Sequence, residues 1–162
     1  MSLVQLNHAS AAEAMTEFMR CCGSTRWARA LVGARPFADA AALFSVAEDA
    51  WAATGPEDWR EAISHHPRIG DLSPTNGAWS SQEQQGVSGA AEDVLQALAA
   101  ENSAYEARFG FTFLVCATGR SAAQMLALLQ ARMPNSPAEE LEVAAGEQAK
   151  ITRIRLERLL TP

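Results

Sequence analysis

The sequence predicts an all-α protein: a compact single-domain bundle of about seven or eight helices over residues 1–162. Three features carry this expectation. Alanine is abundant and β-branched residues are sparse, a composition with high intrinsic helix propensity. Apolar residues recur at helical spacing in one segment after another. Helix-starting Ser and Pro and helix-ending Gly punctuate the joins.

Taken in order, Asn7 or Ser10 suits the cap of a first helix with Ala11, Met15, Phe18 and Met19 on one face. Ser24 suits a second, with Trp27, Leu31 and Val32 inward. Ala40, Leu43, Phe44, Ala47 and Trp51 mark a third that ends near Gly55, and Pro56 fits the first turn of a fourth through Trp59 and Ile63. Residues 65–79 break the pattern, since Pro67, Gly70, Asp71, Ser73, Pro74, Asn76 and Gly77 read as an irregular loop. Helix resumes after Ser80, and a longer one runs from about Ala90 to Arg108 with Val94, Leu95, Leu98 and Tyr105 inward and Gly110 as its stop. Phe111 to Ala117 has local strand character, and reads equally as a buried extended piece or a helix start. Ser121 opens the next helix through Met125, Leu128 and Leu129. Ser136-Pro137-Ala138-Glu139 is a capping box that opens the last, carrying Leu141, Ile151, Ile154 and Leu159.

Apolar residues at 48% and charged residues at 20% describe a globular chain rather than a disordered one. A formal charge of −6 disfavours nucleic acid and anionic membranes as partners, while leaving room for a local basic pocket. No stretch is long and apolar enough for a membrane span, and no leader or lipidation signal is visible, so the expected setting is cytoplasmic. Cys21 and Cys22 are adjacent and Cys116 lies in an apolar run; neither disulfide nor zinc spacing is present, and no metal site is expected.

Three segments carry candidate chemistry. His66, in His65-His66-Pro67-Arg68, stands where a helix gives way to a loop, a place from which an imidazole can be aimed into a cleft to move protons. The same placement lets a histidine merely complement the helix dipole. Ser80 and Glu83 have the spacing of a capping box, and a helix start there would also present polar groups from Glu83 and Gln84 to a urea-like ligand. Arg153, Arg155 and Arg158 stand on the last helix, where such arginines are mostly solvated or paired with Glu157 or a neighbour. Arg155 adjoins Ile154 and precedes Leu156, so one of the three shares space with the apolar face, where a guanidinium can clamp a carboxylate. Cys116 reads as a small buried hydrophobe rather than a nucleophile.

In combination, His66-Pro67-Arg68-Ile69-Gly70, Ser80-x-x-Glu83-Gln84, Asn102-x-x-Tyr105, Arg108-Phe109-Gly110-Phe111-x-Phe113 and Ile151-x-x-x-Arg155-Leu156 resemble the 2-oxo-4-hydroxy-4-carboxy-5-ureidoimidazoline (OHCU) decarboxylases of urate breakdown. The resemblance implies an all-α homodimer that works without metal or organic cofactor, converting this ureidoimidazoline to (S)-allantoin and carbon dioxide. Carried over by position, it makes His66, Glu83 and Arg155 catalytic. It makes Pro67, Ser80, Gln84 and the backbone of Phe113, Leu114, Val115, Cys116 and Ala117 substrate-binding. The segment between His66 and Ser80 is short compared with some members of the family, so Arg68 receives no role from the resemblance. Two readings compete: a helical interaction module without chemistry, and an enzyme acting on another ureido acid.

Overall fold

A computed structural model of the chain describes residues 1–70, 78–87 and 89–161; among them are nine α-helices, one short 3-10 turn and no strand. The all-α expectation holds. Seven helices are nine residues or longer, and the two beyond them, α1 (Leu3–His8) and α6 (Ala78–Glu83), have six residues each. The chain forms two compact units, Met1–Ala62 with Gln148–Pro162, and Ile63–Glu147.

The first unit holds α1, α2 (Ala11–Cys21), α3 (Thr25–Ala34), α4 (Ala40–Ala52), most of α5 (Pro56–Ser64) and the later part of α9 (Pro137–Leu160). Its helices start where a short polar side chain accepts a first-turn N–H: Ser2 from Gln5, Ser10 from Glu13, Ser24 from Trp27 and Asp39 from Ala42. Ser10 therefore caps α2, as its spacing predicted. Asn7 does not cap it, because its amide is spent elsewhere: Nδ2 donates to the Phe37 carbonyl and Oδ1 accepts from the Phe37 N–H, both at 2.9 Å. The buried face of α2 is Ala14, Phe18 and Cys21, with Met15 and Met19 half-buried and Ala11 exposed. Phe18 meets Trp27 and Phe37 edge-on, and the Trp27 indole N–H donates to the Ala47 carbonyl at 3.0 Å, so the largest buried side chain of this unit has its polar atom satisfied.

The second unit holds α6, α7 (Glu92–Phe109), α8 (Ala122–Arg132) and the start of α9. Ser121 and Ser136 cap α8 and α9 through reciprocal bonds with Gln124 and Glu139, as predicted, and α7 ends at Gly110. Residues 111–117 form neither strand nor helix and connect α7 towards α8 without regular secondary structure. Phe113, Val115 and Ala117 of that segment pack with Ile69, Val87, Leu98, Tyr105, Met125 and Leu129 into one core cluster.

One expectation fails. Helix α6 begins at Ala78, and Glu83 is its last residue, so Ser80 does not open the helix and Glu83 is not its first-turn partner. The spacing misled because residues three apart are neighbours anywhere on a helix, not only across its first turn.

Candidate active site

His66 lies one residue beyond the end of α5, after His65. Its N–H donates to the Ile63 carbonyl at 3.0 Å, and both it and Pro67 are half-buried. The chain beyond is pinned at every step. The Arg68 guanidinium grips the Glu106 carboxylate of α7 with two nitrogens. Ile69 is buried in the core cluster, and its carbonyl accepts from Asn102 Nδ2 at 3.1 Å. Gly70 has φ 95, a conformation that side-chain-bearing residues rarely adopt, and its N–H donates to Gln84 Oε1 at 2.9 Å. These bonds hold the residues after His66 against α7 and against the end of α6.

Glu83 and Gln84 are both buried, at 8% and 4% exposure, where α6 gives way to the 3-10 turn Gln85–Val87. A carboxylate and an amide placed side by side away from solvent are suited to the N–H and C=O groups of a urea-like ligand. With Oε1 of Gln84 turned to Gly70, its Nε2 is the atom suited to a ligand acceptor. The 3-10 turn itself lies hard against Arg120 and Ser121, just before α8. A Cβ on Gly86 would stand 2.0 Å from the Arg120 carbonyl oxygen, so only glycine permits that approach. The His66 segment, the Glu83–Gln84 pair and the Phe113–Ala117 segment thus belong to one unit, the first two joined by the bond from the Gly70 N–H to Gln84.

Phe113, Leu114, Val115 and Ala117 are buried and Cys116 is half-buried. Ser80 lies in α6, and its side chain is outside the described residues. Arg155 belongs to the first unit, on α9. It is buried to 8% exposure, and its Nη1 donates to the Arg20 carbonyl at 3.2 Å. Its neighbour differs: Arg153 is exposed, pairs with Glu157 and Glu48, and lies over the Phe44 ring. Near Arg155, the Cys21 and Cys22 thiols are pushed up to about 12 and about 11 by burial, which keeps them protonated and unreactive. No disulfide joins the cysteines, and no group of three His, Cys, Asp or Glu side chains among the described residues has the geometry to hold a metal ion.

Residues 7–157 match the family model for OHCU decarboxylase. The chain belongs to that family. It is 38% identical over 152 residues to the Arabidopsis thaliana "uric acid degradation bifunctional protein TTL", covering 90% of this chain and 47% of that protein. A human "putative 2-oxo-4-hydroxy-4-carboxy-5-ureidoimidazoline decarboxylase" is 33% identical over 141 residues, covering 82% and 80% of the two chains. The chain therefore spans about half the length of the plant relative and most of the human one. Among solved structures, an OHCU decarboxylase crystallised in the presence of (S)-allantoin superposes with a TM-score of 0.80 at 36% identity, over 90% of this chain and 98% of that one.

Two residues around the site, Gly86 and Arg132, escaped the sequence reading, and two more were named there without their partners. Asn102 and Tyr105 stand in a motif shared with the family, yet periodicity marks Tyr105 only as an inward position and gives no partner for either. Gly86 has no local signal, since its need for glycine comes from a carbonyl 34 positions along the chain. Arg132 reads as an ordinary basic residue in the last turn of a helix; its buried partners, Glu140 and the Leu114 carbonyl, are visible only in three dimensions.

Proposed function

We propose that this protein decarboxylates OHCU to (S)-allantoin and carbon dioxide in urate breakdown, without a cofactor. The match of nearly the whole chain to an OHCU decarboxylase solved in the presence of (S)-allantoin carries this reading. The clustering of the His66 segment with Glu83 and Gln84 supports it from the geometry.

The substrate explains why a cofactor is dispensable. Its departing carboxylate sits on a carbon that also bears a hydroxyl and adjoins a ring C=N. When that C–C bond breaks, its electron pair forms a C=C bond to the neighbouring ring carbon and the C=N π pair moves onto the ring nitrogen, which takes up a proton, so that an enol is left as carbon dioxide departs. Loss of the hydroxyl proton and gain of a proton at the neighbouring carbon then give the hydantoin ring of allantoin. In this scheme Arg155 orients the anionic substrate, and Glu83 and Gln84 hold the ureido arm. The backbone of Phe113–Ala117 fixes the ring, with Pro67 and Ser80 completing the surround. His66 assists at the hydroxyl and carboxylate and delivers the proton to one face, which sets the S configuration. A homodimer in the cytoplasm belongs to the same proposal.

The test is stereochemical. OHCU generated from urate is mixed with the protein and allantoin is followed by circular dichroism. Unassisted decay gives racemic product, so the expected result is a faster rise of one enantiomer; racemic allantoin at the background rate would refute the proposal.

A further inference from the structure

The second unit contains a buried charged cluster that the proposed chemistry does not use. Arg132, in the last turn of α8, is 8% exposed, and Glu140 on α9 is fully buried. Arg132 Nε donates to Glu140 Oε1 at 2.7 Å, and Nη2 stands 2.5 Å from the same oxygen as a close ionic contact without hydrogen-bond direction. Tyr105 Oη also donates to Oε1, and Asn135 Nδ2 donates to Oε2 at 2.9 Å, so both carboxylate oxygens are engaged. The remaining arm of the guanidinium, Nη1, donates to the Leu114 carbonyl at 2.6 Å, and its plane lies over the Phe113 ring at 4.5 Å from the centroid.

A buried ion pair is a poor device for stability alone, since apolar side chains of the same volume often serve as well or better. Its use here is directional. One cation grips both the ring of Phe113 and the carbonyl of Leu114, within the segment that the proposed function assigns to the substrate ring. The Leu114 carbonyl shares its peptide unit with the Val115 N–H. A cation bonded to that oxygen draws electron density from the peptide and makes the N–H a stronger donor.

We infer that Arg132, braced by Glu140, is a positioning residue: it sets the placement of the Phe113–Ala117 backbone and strengthens the Val115 N–H as a donor to the bound ring. This rests on the proposed function only for the identity of the ligand. In Arg132→Lys a point charge replaces the planar fork and cannot serve the carboxylate and the carbonyl in the same geometry. The double variant R132M/E140L replaces the pair with apolar volume and leaves no unpaired charge.

The experiment measures kcat and KM for OHCU, the melting temperature and the Val115 amide nitrogen resonance of both variants. The inference expects a folded variant whose KM rises about tenfold, the effect of losing one charge-assisted hydrogen bond, with kcat within about threefold of the parent. The Val115 resonance moves as well. A folded variant with unchanged KM and unchanged Val115 resonance overturns it, as does failure of both variants to fold, which would make the pair purely structural. If the parent protein does not act on OHCU, the proposed function fails by itself; the Val115 resonance still reports whether Arg132 polarises that peptide.

Discussion

The two units use the same helices to different ends. In the first, the joins are short and the helices start on side chains that accept N–H groups three positions away, at Ser2, Ser10, Ser24 and Asp39. In the second, the chain leaves helix for longer stretches, at 65–70 and 110–121, and those stretches are fixed by side chains distant in sequence. Asn102 holds Ile69, Gln84 holds Gly70 and Arg132 holds Leu114, across separations of 33, 14 and 18 residues. Regular helix satisfies its own backbone; an irregular segment must have its carbonyls and N–H groups met from outside. That need is what makes such a segment useful, because a backbone not consumed by helix can face a ligand.

The difference also explains what could be read in advance. The caps at Ser10, Ser24, Ser121 and Ser136, and the stop at Gly110, are local rules and were legible. That one arginine of the last helix shares the apolar face was legible too, and the structure makes it Arg155, with Arg153 exposed. The Ser80–Glu83 cap was misread for the same reason that it was tempting, since a three-residue spacing has no direction. The brace on Leu114 and the glycine requirement at position 86 were illegible, as each depends on a backbone atom brought near by the fold.

The largest expected effect tests whether the second unit's irregular segments exist for chemistry. His66→Ala removes a half-buried ring at the end of α5 whose backbone bond to Ile63 does not depend on the side chain. Turnover of OHCU should fall by about 100-fold or more, the usual worth of a positioned proton-transfer group, with the melting temperature nearly unchanged. Near-parental turnover in the folded variant would remove His66 from its role and leave that turn without a chemical purpose.

Next is Gly86→Ala. The added carbon would meet the Arg120 carbonyl oxygen at 2.0 Å, its carbon at 2.9 Å and Ser121 Cα at 3.0 Å. All three are backbone atoms, so relief requires the 3-10 turn and the segment before α8 to part. A loss of about 3 kcal/mol in denaturant unfolding is expected, at the upper end for overpacking. It should be accompanied by a rise in KM, because the same shift displaces Glu83 and Gln84, which lead into that turn. Alanine tolerated with full stability would show that this approach is looser than the structure has it.

A smaller effect separates the units by pH. Burial, opposed in part by Arg155, holds the Cys21 and Cys22 thiols at about 12 and about 11, against 9.0 for ordinary thiols. A raised folded-state value means stability that is complete below pH 9 and is lost as pH climbs toward 11 and 12. Tyr105 in the second unit is also raised, by burial and by its bond to Glu140, but from 10.0, so its contribution begins to fade only above pH 10. Denaturant midpoints measured against pH should therefore begin to fall above pH 9 in the parent, and about one unit later when Cys21 and Cys22 are both replaced by alanine. Superimposable pH profiles would mean that the paired thiols are not protected by burial.

The smallest effect probes the first unit on its own terms. Asp39 accepts from the Ala42 N–H at 2.8 Å and is exposed, so Asp39→Ala removes a cap with little disturbance to packing. A loss of about 1 kcal/mol is expected from the unsatisfied first turn of α4, together with loss of a favourable charge at the helix N-terminus. Because α4 carries none of the proposed catalytic or substrate-binding residues, KM and kcat at temperatures well below the melting transition should match the parent. Asp39→Ser restores a side-chain acceptor without the charge and should recover most of the stability, which separates the hydrogen bond from the dipole. If Asp39→Ala instead raised KM as Gly86→Ala is expected to, the start of α4 would bear on substrate binding and not on stability alone.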